Sequence, residues 1–153
     1  MKLTSPAFQE KGKIPSRYTC EGEEISPPLH ISDVPPNAKS LVLIMDDPDV
    51  PKSVRADGMW DHWILFNILP NVQKIEENTT PLCKSGMTTS GHTRYVGPCP
   101  PDREHRYFFK LYALDIMLDL PSGSTKKTIE KAMHGHILAQ CERIGLYEKG
   151  KGY

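Results

Sequence analysis

Leu41-Val42-Leu43-Ile44-Met45-Asp46-Asp47-Pro48-Asp49-Val50-Pro51 is the stretch that decides how this chain is read. Five successive apolar residues run into a group of carboxylates set in a proline-stiffened bend. A short, continuous apolar run closed by turn residues reads as a strand buried on both faces, here residues 40–45. Taken alone, the bend is a stiff surface turn. Asp accepts hydrogen bonds from nearby backbone N–H groups, and Pro pre-sets φ. Whether it is also one wall of a site depends on what the rest of the chain brings to it.

Two further strands are expected. Trp60-Asp61-His62-Trp63 opens a run over residues 60–69, with Ile64, Phe66 and Ile68 on one face. Residues 105–113 alternate, with His105, Tyr107, Phe109 and Leu111 opposed to Arg106, Phe108, Lys110 and Tyr112. Between them, residues 72–89 are weakly patterned, and residues 90–104 form a long Gly- and Pro-rich loop, a length that is usually functional when ordered. Before residue 40 the chain offers an edge strand within residues 3–9, a turn at Lys11-Gly12-Lys13, a solvated acidic loop at Cys20-Glu21-Gly22-Glu23-Glu24, and a short strand at Leu29-His30-Ile31-Ser32. Ser124 or Thr125 can cap a helix reaching His134, with Ile129, Ala132 and Met133 buried. After the turn residue Gly135, alternation favours a strand, with helical continuation competing. The last residues, 148–153, are expected to fray.

Composition narrows the classes. The chain has 153 residues, which fits a single domain spanning residues 1–153 and burying roughly 70% of its unfolded surface. Lys+Arg and Asp+Glu balance at 19 each, which argues against a broadly basic nucleic-acid surface. No apolar run approaches the ~20 residues that span a bilayer, and the start lacks a signal-peptide pattern, so the cytoplasm is the expected location. Fourteen prolines are nearly twice the usual ~5% and favour a β-rich domain with stiff loops. Cys20, Cys83, Cys99 and Cys141 form no Cys-x-x-Cys pair; their even number leaves room for one or two bridges, and free thiols are the expectation.

Polar residues recur at strand ends. Asp47 and Asp49 leave one strand, His62 enters the next, and His105 and Tyr107 share a face of the third. If these strands are neighbours, the side chains converge on a cavity walled by the 97–101 loop. Imidazole, phenol and loop backbone N–H groups would donate to a phosphate's oxygens. The aspartates would fix the tautomer of His62 or accept from a ligand ammonium group. Three other readings compete: a metal site at Asp47, Asp49, His62 and His105, a nucleophile at Cys99, and plain core packing of His62 and Tyr107. His134-Gly135-His136 is most simply a turn.

Four ordered motifs carry a resemblance. Asp47-Pro48-Asp49-Val50-Pro51, Trp60-Asp61-His62-Trp63, Gly97-Pro98-Cys99-Pro100-Pro101 and His105-Arg106-Tyr107-Phe108-Phe109 together resemble the signature regions of the phosphatidylethanolamine-binding (Raf kinase inhibitor-like) protein family. Cys20 with Ile25-Ser26-Pro27-Pro28-Leu29, and Gly135-His136-Ile137-Leu138-Ala139, resemble its short bacterial and archaeal branch. The resemblance implies a mainly β fold: a large antiparallel sheet packed with a smaller sheet, and a few short peripheral helices. It also implies a ligand-binding cavity at Asp47, Pro48, Asp49, His62, Gly97, Pro98, Pro100, Pro101, His105 and Tyr107, with no catalytic residue, metal or cofactor.

The implied ligand is a phosphate-type anion or a phospholipid headgroup, bound without turnover. A kinase or serine protease is the protein partner that the resemblance suggests, and a homodimer the assembly. An Asp/His-based hydrolase is the remaining alternative. One departure stands out: Asp102-Arg103-Glu104 follows Pro101 where relatives often carry a Gly, which changes the charge at the cavity rim.

Overall fold

The computed structural model describes residues 1–151, so Gly152 and Tyr153 of the expected frayed tail lie outside the described residues. In chain order the strands are β1 (Lys2–Thr4), β2 (Gly12–Lys13), β3 (Leu29–Ser32), β4 (Ser40–Asp47), β5 (Trp60–Ile68), β6 (Lys74–Ile75), β7 (Lys84–Ser85), β8 (His105–Leu114) and β9 (Ile137–Tyr147). A 3-10 turn covers Ser16–Tyr18, and helix α1 covers Lys126–Met133. Six strands form one sheet in the order β2-β9-β8-β4-β5-β7, and three form a second in the order β1-β3-β6. The pairings in the large sheet are antiparallel except β2 with β9, where Gly12 faces Gly145 in parallel. The expected turn at residues 11–13 thus includes a short edge strand, entered through Lys11 at φ 57°.

β4 is buried along its whole length, because each of its faces meets a different layer. Leu41, Leu43 and Met45 pack with Leu3, Leu29, Ile31 and Ile75 of the small sheet. Val42 and Ile44 point the other way and, with Ile64 and Phe66 of β5, meet Ile129 and Met133 of α1. The helix starts where expected: the Thr125 side chain accepts from the Thr128 N–H, supplying a partner for one of the first-turn donors. Gly135 leaves it with φ +83°, and the chain enters β9 as a strand, not a continued helix.

Two irregularities in β5 set its faces. Leu41 opposes Ile68, while Leu43 opposes Leu65, so an extra residue lies in β5 near Asn67. Asn67 has φ 57°, and its side chain trades hydrogen bonds with the Leu118 N–H and C=O. Ile68 is thereby turned into the inter-sheet core, not onto the face of Ile64 and Phe66 where strict alternation puts it. A second extra residue lies at His62, since Met45 opposes Trp63 and Asp46 opposes Asp61. Such bulges re-aim side chains locally.

Candidate binding site at the strand ends

β4 ends in two aspartates, and the pleat sends them to opposite faces. Asp46 goes under α1, where its Oδ2 accepts from Lys110 Nζ at 3.0 Å and Lys126 Nζ at 3.2 Å. Lys126 also reaches Asp61 at 2.8 Å. Burial alone would lower the Lys126 pKa, but its partners Asp61 and Asp46 outweigh that and hold it above the ordinary value.

Asp47 takes the other face. Its Oδ1 accepts from the Asp49 N–H at 2.7 Å, closing the bend, and its Oδ2 accepts from His105 Nδ1 at 2.7 Å. His105 is fully buried, and its Nε2 meets Asp102 Oδ1, also at 2.7 Å. Both ring nitrogens of His105 are thus engaged by acidic side chains, and neither is left to face the cavity. The hydrogen bond from His105 holds the Asp102 carboxyl below its usual range. The loop residue that departs from the family pattern is therefore the second brace of His105. Asp49 points away from the cavity, pairing with Arg106 through its backbone N–H at 2.9 Å, Nε at 2.9 Å and Nη2 at 2.8 Å. These bonds keep its pKa low.

The bulge at His62 sets this ring beside Tyr107, with centroids 5.3 Å apart edge to face. Its Nδ1–H donates to the Val96 carbonyl at 2.7 Å, while the Val96 N–H donates to the His62 carbonyl at 3.0 Å. The tautomer of His62 is thus fixed by Val96, and not by the aspartates as anticipated from sequence. Burial pushes the His62 pKa down, against the Val96 bond and the charges of Asp47, Asp61 and Asp46. Tyr107 is fully buried, and its Oη lies close to Asp47 without meeting any partner in full hydrogen-bond geometry. Burial first, and the nearby Asp47 charge second, raise its pKa far above the ordinary phenol value.

The 97–101 loop is fastened to the first third of the chain. Cys99 is disulfide-bonded to Cys20, 79 residues away, which corrects the expectation of free thiols at these two positions and removes Cys99 as a nucleophile. Only Cys83 and Cys141 remain free; burial raises the Cys83 thiol to about 11. Cys20 N–H donates to the Pro98 carbonyl at 3.1 Å, Tyr95 Oη–H to the Tyr18 carbonyl at 2.7 Å, and Gly97 N–H to Glu24 Oε2 at 3.0 Å. A Cβ on Gly97 would stand 2.6 Å from the Tyr18 carbonyl oxygen. The acidic loop is therefore a set of fasteners more than a solvated run. Glu21 likewise accepts from Tyr147 Oη and from the Gly150 N–H, which ties down the tail as far as Gly150.

These parts enclose a cavity of about 320 Å³. Of the residues singled out in the sequence, Asp47, His62, Gly97, Pro100, Pro101, His105 and Tyr107 line it; Pro48, Asp49 and Pro98 do not. Val50, Val54, Trp60, Ser90, Val96 and Cys99 complete the lining. Val50 and Val54 follow the bend directly and Val96 adjoins Gly97, so their proximity in sequence was a usable signal. Loop backbone donors do not line up as expected: the Gly97 N–H is taken by Glu24, and prolines have none. Asp47, Asp49, His62 and His105 do not converge as metal ligands, and no group of three or more His, Cys, Asp or Glu among the described residues is placed to hold an ion. The cavity is thus largely apolar, with one phenol lacking a full hydrogen bond, one imidazole edge and a braced carboxylate.

Comparison with known proteins identifies the family and the fold. The family model described as phosphatidylethanolamine-binding protein matches residues 4–148. A UPF0098 protein of Chlamydia trachomatis is 52% identical over 149 residues, covering 97% of this chain and 99% of its own length. One from Methanothermobacter thermautotrophicus is 49% identical over 156 residues, covering 98% and 100%. A solved phosphatidylethanolamine-binding protein homolog from Chlamydia trachomatis superposes with TM-score 0.94 at 52% identity, over 96% of each chain. E. coli YbcL, described as a member of the mammalian PEBP family, gives TM-score 0.86 at 27% identity, over 96% of this chain and 97% of its own. This chain belongs to the phosphatidylethanolamine-binding protein family.

Proposed function

We propose that the protein binds a small anion, a phosphate or phosphoethanolamine-like group, without turning it over. The observation that carries this reading is the buried Tyr107 hydroxyl in the cavity wall beside His62, with only Asp47 near it and no partner in full hydrogen-bond geometry. A buried O–H costs about 1–3 kcal/mol when it finds no acceptor, and an oxyanion oxygen is such an acceptor. The cavity volume lies at the small end of ligand sites, which suits a headgroup and not a whole lipid. Catalysis has less to work with. Cys99 is in a disulfide, Ser90 Oγ shares a hydrogen bond with Thr88 Oγ1, and both nitrogens of His105 are engaged. The family name agrees with headgroup binding.

The test is a titration of the uniformly labelled protein with inorganic phosphate and with phosphoethanolamine, following the His62 ring by NMR. Saturable shifts of the His62 and Tyr107 signals are expected. Signals that do not move with either compound would remove the reading.

A further inference from the structure

We infer that the protein has a second binding site, for a small monocarboxylate, in the hollow lined by Ser26, Trp63 and Arg94. This hollow holds about 250 Å³ and shares no lining residue with the cavity described above. Residues 94–97 separate the two: Arg94 and Tyr95 line this one, Val96 and Gly97 the other.

Its buried wall is Trp63, 1% exposed and part of the core between the sheets. The indole stands at 90° to the Tyr95 ring, with centroids 5.4 Å apart. Tyr95 is held in turn by its bond to the Tyr18 carbonyl, and the Asn78 N–H donates to the Ser26 carbonyl at 2.9 Å. Within this fixed surround, the Trp63 Nε1–H meets no acceptor among the described residues. An indole nitrogen only donates, so whatever satisfies it must bring a lone pair.

Arg94 supplies the charge. Its Nη1 donates to the Tyr95 carbonyl at 3.1 Å. Among the described residues its guanidinium has no carboxylate partner, whereas Arg17, Arg55, Arg103 and Arg106 each have one. A guanidinium and a separate N–H match the two oxygens of a carboxylate. Glu24, the one anion on the lining, has its Oε2 taken by the Gly97 N–H. With a single cation present, one ligand charge can be paired and a second cannot, which favours a carboxylate over a phosphate dianion. The volume lies below the ~300–1,000 Å³ of drug-sized ligand sites, so the acid has only a few carbons.

The two tryptophans report the two hollows separately, since Trp60 lines the first and Trp63 the second. The experiment titrates the 15N-labelled full chain with propionate and with propionamide, following both indole N–H signals by NMR; Trp63→Phe or Trp60→Phe assigns them. Propionate should move the Trp63 indole proton downfield and saturably, as a new bond to a carboxylate does. Propionamide, which brings no charge for Arg94, should bind at least about tenfold more weakly. Arg94→Gln, a change at an exposed side chain, should weaken propionate about five- to tenfold and keep both indole signals of the free protein near their wild-type positions.

A Trp63 signal that stays still throughout the propionate titration overturns the inference. So does one that moves equally with propionamide, or that responds undiminished in Arg94→Gln. Movement of Trp60 alone would place propionate in the first cavity and overturn it as well. The anion-binding reading, tested at His62, stands or falls separately.

Discussion

At the scale of single residues, the site rests on two cavity-lining side chains, Tyr107 and His62. Tyr107→Phe removes a hydroxyl that meets no partner within hydrogen-bond geometry in the free protein and has only Asp47 close to it. Thermal stability should therefore hold or rise, while phosphate affinity drops about ten- to 150-fold, the worth of one buried hydrogen bond to a charged group. Equal affinity in calorimetry would contradict the role given to Tyr107. His62 makes a pH prediction with a definite sign. Its folded pKa lies below the ordinary value of about 6.5 because burial disfavours the charged ring. Its contribution is fully present above that value and is lost as pH falls toward the folded pKa. Melting temperature should decline between pH 7.5 and 5.5, and His62→Gln should flatten that slope. The residue types at the strand ends were legible in the sequence, since strand-end polar residues stand out against apolar runs. The roles were not. The tautomer of His62 depends on a carbonyl 34 residues away, and the two sides of His105 are filled by Asp47 at the end of β4 and Asp102 of the loop before β8. No local pattern encodes either.

Among the elements, β4 and β8 were readable because their burial is regular: an unbroken apolar run, and a strict alternation. β5 was readable only in outline. Strict period two assigns Ile68 to the wrong face, because the residue inserted near Asn67 is invisible to a periodicity argument. The strands of the weakly patterned 72–89 segment, β6 and β7, are two residues each, too short for any pattern. The loop carrying the cavity wall depends on backbone proximity at Gly97. A Cβ there meets the Tyr18 carbonyl oxygen at 2.6 Å, and neither partner is a flexible side chain tip. Gly97→Ala should cost about 1–3 kcal/mol, as overpacking against rigid groups does, and should lower phosphate affinity by shifting Val96 and with it His62. A urea titration showing no loss of stability would mean the two loops separate easily.

For the whole molecule, the Cys20–Cys99 bridge closes 79 residues of chain, a crosslink that the sequence could not reveal because the partners meet only in the fold. In the chain-entropy account, such a loop is worth about 4.5 kcal/mol. Reductant should lower the urea midpoint accordingly, and Cys20→Ser should reproduce the loss and abolish the response to reductant. Identical midpoints with and without reductant would contradict this. Because disulfides persist in oxidising compartments and open in reducing ones, the stability of the cavity wall follows the redox conditions around the protein.

The edge pairing of β2 with β9 has a different consequence, in the order of synthesis. A chain made from its N-terminus carries Asp47, His62 and then His105 with Tyr107 out of the ribosome in turn, so the cavity residues are all present before β9 exists. Gly12, however, waits for Gly145, and β8 keeps one open edge until β9 pairs with it. Unpaired edges are templates for association with other chains. A nascent chain that stalls before Ile137 would expose the β8 edge beside a nearly finished cavity, and the last strand acts as the seal.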